Sequence, residues 1–486
     1  MPDDLLNRHA MTRSRPELAL FLSILAGYLI AGALFAVYTP PWQAPDEPAH
    51  YNYVRQVAEN GCCPRVEIGD WQSDYLQVLT STRFAPESLE RLYTIQYEDH
   101  HPPLYYLLAS LVYKLGNGSL VALRLFSVLL GAITVGLAYV IGKHVVPEQP
   151  QIALGAMALV AFLPQHLAMM SAVNNDAMAE ALVAFGLLWM VRYLKGNGVP
   201  IWQFGLIAGL AILCKITIYF MLLLFPLAIC LAWTKQEKPV SVLAGRITAF
   251  AIVALIFGGG WWLRNISAYS FPDFLGLGAH DAVVADQPRT LDYVDTHGWI
   301  NYARQLIAVT FKSFWGQFGW MALPLDSVLG GWIYRGFALL TLAGLTGSLL
   351  SAHSSPVFEG SRSVTAKKPA ARAQNNKLSR RMSDAIYYER EKIERRHIRI
   401  IFTAAVLIVF LAFFYYNLEF LQWQGRYLFP ALIPIALSLV GGIDAWRARI
   451  FARWDQSRWL TALTIMCLFA LDIYLLFRVI VPGLSP

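Results

Sequence analysis

The feature that most constrains this chain is a series of apolar runs about 20 residues long, the length a helix needs to cross a hydrocarbon core. Leu18 to Tyr38, Val121 to Gly142 and Val328 to Leu350 are clear cases. A backbone surrounded by lipid has no water to satisfy its N–H and C=O groups, so such runs must fold as helices rather than open strands. Composition agrees: 56% of the 486 residues are hydrophobic and 15% are charged, where a soluble domain carries about 25% charged residues. The fold class expected is an all-α polytopic membrane protein.

Threaded in order, the chain gives about eleven spans. They are Leu18–Tyr38, Val121–Gly142, Ile152–Met170, Ala177–Leu194, Ile201–Leu213, Ile218–Trp233, Ile247–Leu263, Val328–Leu350, Ile400–Tyr416, Leu428–Trp446 and Leu460–Val481. Pro102 to Leu115 is apolar but too short for a span, and is expected as an interfacial or re-entrant helix on the outer face. Tyr302 to Met321 is amphipathic and expected along the membrane surface. The first run follows Arg8, Arg13 and Arg15 and lacks a small-residue cleavage site, so it is expected as an uncleaved first span with the N-terminus inside. The organisation expected is a transmembrane core over 1–350 with outer loops 39–118 and 264–327, a basic cytoplasmic loop over 351–399, and C-terminal spans over 400–486.

The net charge of +7 comes from one place. Between Ser351 and Arg399 stand twelve Lys or Arg against five acids, a surplus equal to that of the whole chain. A cytoplasmic loop facing anionic headgroups accounts for it, and nucleic-acid binding is not needed. Ala366 to Lys377 within it is low in complexity. Five cysteines show no zinc-type spacing. Cys214, Cys230 and Cys467 sit in apolar runs as small hydrophobes, whereas the adjacent Cys62 and Cys63 could pair with each other or elsewhere.

On this threading the outer side collects Asp46, Glu47, His50, Glu98, Asp99, His100, His101, Asp176, Lys215, Arg264 and Arg426. Ionisable groups beside so much apolar surface are costly and are kept for a function. Pro45 and Pro48 restrict the backbone around Asp46 and Glu47. That gives a carboxylate the fixed direction a general base needs, Asp46 as base and Glu47 as an orienting or paired partner. Glu98-Asp99-His100-His101 before Pro102-Pro103 could bind a metal, titrate near neutral pH, contact phosphate, or cap a proline-started helix. Lys215, Arg264 and Arg426 end apolar spans, where cations suit a lipid-linked phosphate or snorkel to headgroups.

At these residues the chain resembles the GT-C superfamily of integral-membrane glycosyltransferases, which includes lipid A aminoarabinose transferases and protein O-mannosyltransferases. The resemblance rests on Asp46-Glu47 with Tyr51 and on Pro102-Pro103-Leu104-Tyr105-Tyr106. A poorly characterised bacterial branch is suggested by His100-His101-Pro102-Pro103, Ser313-Phe314-Trp315-Gly316-Gln317-Phe318-Gly319-Trp320 and Gln424-Gly425-Arg426-Tyr427. It implies a GT-C-like fold with juxtamembrane helices in the first outer loop, and a polyprenyl-phosphate sugar donor. It also implies Asp46 as the base that activates the acceptor, with Glu47 beside it in the catalytic pair, and Asp176 as a second outer acid. In some relatives that acid helps to hold a divalent cation such as magnesium or manganese, for which Asp46, Asp176 and His100 are the candidate ligands here. Relatives commonly carry Glu-Lys before Pro-Pro, the Lys contacting donor phosphate; His100-His101 stands here instead. The phosphate-binding set expected is therefore Lys215, Arg264, Arg426 and His101. His50, Tyr51, Glu98, His100, Tyr105 and Asp176 are expected to bind substrate.

The activity expected is transfer of a sugar from a polyprenyl-phosphate donor to an extracytoplasmic acceptor, glycan, lipid or protein, at a bacterial inner membrane. Its partners would be that donor, the acceptor and membrane lipids, with no nucleic acid. Trp42, Tyr51, Trp315 and Trp320 are candidates to stack on sugar faces or to sit in an interfacial belt. Two rival readings are a polyprenyl-lipid transporter or flippase, which would place ionisable groups near the midplane of repeated halves, and a non-catalytic assembly subunit.

Overall fold

The computed structural model describes residues 15–235, 238–325, 328–353, 374–450 and 457–486. Arg8, Arg13, Asp326, Arg453 and the basic residues from Arg362 to Arg372 fall outside the described residues. The elements in chain order are α1 (Arg15–Tyr38), α2 (Glu47–Asn60), α3 (Ser73–Ser81), α4 (Leu104–Leu115), α5 (Leu120–Val145), α6 (Pro150–Ala161) and α7 (Pro164–Met170). Then come α8 (Asp176–Leu194), α9 (Ile201–Ile212), α10 (Met221–Trp233), α11 (Val240–Tyr269), α12 (Leu277–Val283), α13 (Thr290–His297) and α14 (Trp299–Trp315). After β1 (Gln317–Phe318) and β2 (Leu323–Pro324), the chain ends with α15 (Val328–His353), α16 (Gln374–Asn417), α17 (Leu432–Ile450), α18 (Ser457–Leu475) and α19 (Val481–Leu484).

This is a multi-pass membrane protein. Among the described residues nine helices are long and apolar enough to cross a membrane, or ten if α6 and α7, bent by 61° at their break, are one span. The count of eleven included Ile201–Leu213, which folds as the twelve-residue α9. At about 1.5 Å of rise per residue, that is some 18 Å, well short of the hydrocarbon core. It is instead held deep against α11. A Cβ on Gly205 would stand 2.5 Å from Val253 Cβ, and one on Gly258 would stand 2.7 Å from Ile212 Cβ, so bare glycines let the two backbones meet.

The bend between α6 and α7 has a chemical cause. Pro164 has no N–H to give the Val160 carbonyl. The His166 Nδ1 fills that place at 2.7 Å, and its Nε2 lies 2.9 Å from Glu180 Oε2 on α8. The segment expected on the surface, Tyr302 to Met321, divides into α14 and a short hairpin in which Gln317 pairs with Pro324 and Phe318 with Leu323. The later part of the basic stretch continues without a break into the span as α16. Cys62 and Cys63 are bonded to each other.

Candidate active site

Asp46 stands between α1 and α2 with a backbone φ of 67°, in the left-handed region. Asp and Asn are among the few residues that adopt it at modest cost, and non-glycine residues there concentrate at functional sites. Its carboxylate accepts a 2.8 Å hydrogen bond from the Tyr97 hydroxyl and forms an ion pair with Arg426. Arg426 is brought there by its neighbour. The Gly425 N–H donates to Ser313 Oγ at 2.7 Å, and a Cβ on Gly425 would stand 2.4 Å from the Phe314 nitrogen, so only glycine lets this turn reach α14.

The next residue is placed differently. Glu47 is fully buried, and Arg124 of α5 meets both of its carboxylate oxygens, at 2.8 and 2.6 Å. The Trp42 and Val173 N–H groups donate to the same carboxylate. Arg124 also donates to the carbonyls of Ala36, Thr39 and Pro40, which fastens the end of α1. A carboxylate with every position filled has no room for a substrate proton, so Glu47 sets the direction of the segment that carries Asp46.

A second ion pair lies alongside. Lys215 Nζ is 2.5 Å from Asp176 Oδ1 at the start of α8. Lys215 is seated by the break after α9, where the Leu213 carbonyl accepts the N–H of Leu104, the first residue of α4. The Pro102-Pro103 segment is thereby tied to the turn that holds Lys215.

The imidazoles form a third group. His100 lies 4.2 Å, ring to ring, from His101 on one side and from His280 of α12 on the other, and His50 stacks 6.0 Å from His101. His50 Nδ1 and the Tyr106 hydroxyl are hydrogen bonded at 2.8 Å. Burial drives His50 down to about 4, against a partial upward pull from Glu98. Burial, then the neighbouring His280 and His101, hold His100 well below its ordinary value. Burial also lowers His280. Burial would raise Glu98, but the facing imidazoles, His101 foremost, outweigh it and hold that carboxyl well below the usual range.

Among the described residues, one set of three potential metal ligands gathers its ligand atoms within 4.8 Å: Glu98, His100 and His101. His101 Nε2 lies 2.7 Å from Glu98 Oε2 without hydrogen-bond alignment, and that oxygen has no other partner. A donor set of two imidazoles and a carboxylate suits a zinc-type cation better than magnesium or manganese. The set expected from sequence, Asp46, Asp176 and His100, does not assemble, because each acid is engaged by its own cation.

Of the other expected residues, Arg264 donates to the carbonyls of Cys63 and Pro64 and stacks on Trp261, apart from the two ion pairs. The Tyr51 hydroxyl donates to the Gly118 carbonyl, and Tyr105 is buried against Ser127. Trp42 and Trp320 meet through a 2.9 Å bond from the Trp320 Nε1 to the Trp42 carbonyl, while Trp315 is a core residue stacked on Phe337. Sequence reasoning missed Arg124, whose signal was one arginine inside a 26-residue apolar helix, as well as Tyr97 and His280.

Residues 100–259 match a family model described as dolichyl-phosphate-mannose-protein mannosyltransferase. The matched segment is a third of the chain; it holds His100, His101, Asp176 and Lys215, and leaves Asp46 and Arg426 outside. No curated protein sequence matches the chain. One similar solved structure is ArnT from Cupriavidus metallidurans bound to undecaprenyl phosphate: identity is 13%, covering 96% of this chain and 73% of that one, with a TM-score of 0.47. Another is the archaeal oligosaccharyltransferase AglB from Archaeoglobus fulgidus in complex with an inhibitory peptide and a dolichol-phosphate: identity is 13%, covering 97% of this chain and 56% of that one, with a TM-score of 0.42.

Proposed function

We propose that this chain transfers a sugar from a polyprenyl-phosphate-linked donor to a hydroxyl-bearing acceptor on the extracytoplasmic side of a bacterial inner membrane. The observation that carries the reading is one carboxylate, Asp46, held in a left-handed backbone turn against Arg426 beside the Lys215–Asp176 pair. The family match over 100–259 supplies the reaction class. The basic loops on the side opposite Asp46 support the orientation.

In this reading Asp46 takes the proton of the acceptor hydroxyl as its oxygen attacks the anomeric carbon. The bond from that carbon to the phosphate oxygen breaks, and its electron pair leaves with the lipid phosphate. Charge grows on the phosphate as the bond stretches, so preorganised cations contribute most of the rate there. Arg426 and Lys215 are those cations, and Arg426 can meet two phosphate oxygens at once. Glu47 and Arg124 position the base, and Tyr97 orients it.

The test is incubation of the purified protein with a panel of radiolabelled polyprenyl-phosphate sugars, with and without chelator. Consumption of one donor by wild type and its loss in Asp46→Asn are expected. Turnover retained in that variant, or no donor consumed by the wild type, overturns the proposal.

A further inference from the structure

Three of the cations at the Asp46 end of the bundle already have a carboxylate: Arg426 is paired with Asp46, Lys215 with Asp176 and Arg124 with Glu47. Arg264 donates instead to main-chain carbonyls. A phosphate arriving here therefore meets a site whose positive charge is already balanced, and it must replace a carboxylate to be held.

The pairs differ in how replaceable the carboxylate is. Arg124 meets Glu47 through two nitrogens, with side chains 2% and 0% exposed. Arg426 meets Asp46 through one nitrogen, Nη2, and Asp46 remains 22% exposed. The Arg426 Nε–H is buried with no acceptor. A guanidinium presents a planar fork that matches two oxygens of one phosphate, and an unfilled buried N–H costs about 1–3 kcal/mol. A phosphate spanning Nε and Nη2 would satisfy the orphan donor and take the nitrogen that Asp46 now occupies. Asp46 would keep the Tyr97 hydroxyl, which donates to its other oxygen.

We infer that the donor phosphate and the Asp46 carboxylate compete for Arg426, so that seating the donor is what releases the base. The inference rests on the glycosyltransferase reading above and adds an order to it. Donor binds first, Asp46 is freed, and only then is an acceptor hydroxyl activated. No covalent step is added: one ion pair is exchanged for another.

The test is equilibrium binding of undecaprenyl phosphate to the full-length protein in nanodiscs. Asn tolerates the left-handed backbone of residue 46, so Asp46→Asn removes the competing charge and little else. The expected result is binding about fivefold to tenfold tighter than wild type, an effect on the order of 1 kcal/mol, in a variant that has lost transfer. Tyr97→Phe removes the hydroxyl that would still hold Asp46 once the phosphate takes Arg426, and should weaken binding about twofold to threefold. It carries the test if the first variant does not fold. Wild-type binding with no gain in Asp46→Asn, or no loss in Tyr97→Phe, overturns the competition and leaves the transferase reading standing. Absence of undecaprenyl phosphate binding in the folded wild type overturns both. An equal gain for phosphatidic acid overturns the lipid-linked donor as the competing anion.

Discussion

Asp46 and Glu47 are consecutive carboxylates, each facing an arginine, and the structure treats them in opposite ways. Glu47 is sealed in the protein with every hydrogen-bonding position filled, while Asp46 keeps a solvent-accessible side and a single-point contact. A buried ion pair is a poor source of net stability, but removing one partner leaves an uncompensated charge. The sealed pair therefore fixes geometry, and the open pair is available for exchange. The difference comes from the packing partner: Arg124 rises near the start of a transmembrane helix, whereas Arg426 sits on a turn pressed against α14.

The comparison breaks if Asp46→Asn is not the more damaging change for chemistry. Loss of a positioned general base costs about 10²–10⁴-fold in rate, and this variant should lose that much turnover while remaining folded. The sealed pair predicts the opposite signature. Arg124→Met should cost about 3–5 kcal/mol of stability, read as a large fall in thermal unfolding temperature in detergent. A stable Arg124→Met protein with only slowed turnover would erase the distinction.

The imidazoles beside the open pair make the stability of this end of the molecule depend on pH. Folding holds His50 neutral, lowered to about 4 from about 6.5, so its contribution is fully present above pH 6.5 and is lost as pH falls towards 4. His100 and His280 shift in the same direction. Stability should drop by about 3 kcal/mol for His50 alone across that window, measured as melting temperature from pH 7 to pH 4. A flat profile would mean that the imidazoles are wet. The smallest effect expected is for Arg426→Lys, about a tenfold loss in turnover with unchanged stability, because an ammonium keeps the charge but lacks the fork.

Much of the layout was legible. Residues destined for one end of the bundle, from Asp46 to Arg426, could be read from alternation of apolar runs and basic loops, because the cost of placing a side chain in hydrocarbon is set by that side chain itself. The Pro-Pro segment and α4 were likewise visible as an apolar stretch too short to span. Eleven spans were expected where the described residues give nine or ten: Ile201–Leu213 was already shorter in sequence than the Pro102–Leu115 stretch set aside as interfacial, and it folds as the twelve-residue α9. The metal-ligand set changed for a different reason: sequence proximity grouped Asp46, Asp176 and His100 by charge, and pairing with Arg426 and Lys215 took both acids out.

Taken alone, then, the sequence determined that the chain crosses a membrane many times and which chemistry-bearing residues gather at one end. Both follow from transfer energies that add up locally along the chain. Only the tertiary structure decided which carboxylate is buried and which is exchangeable. That choice depends on contacts between residues 77 positions apart for Glu47 with Arg124 and 380 apart for Asp46 with Arg426, and no local energy along the chain encodes it.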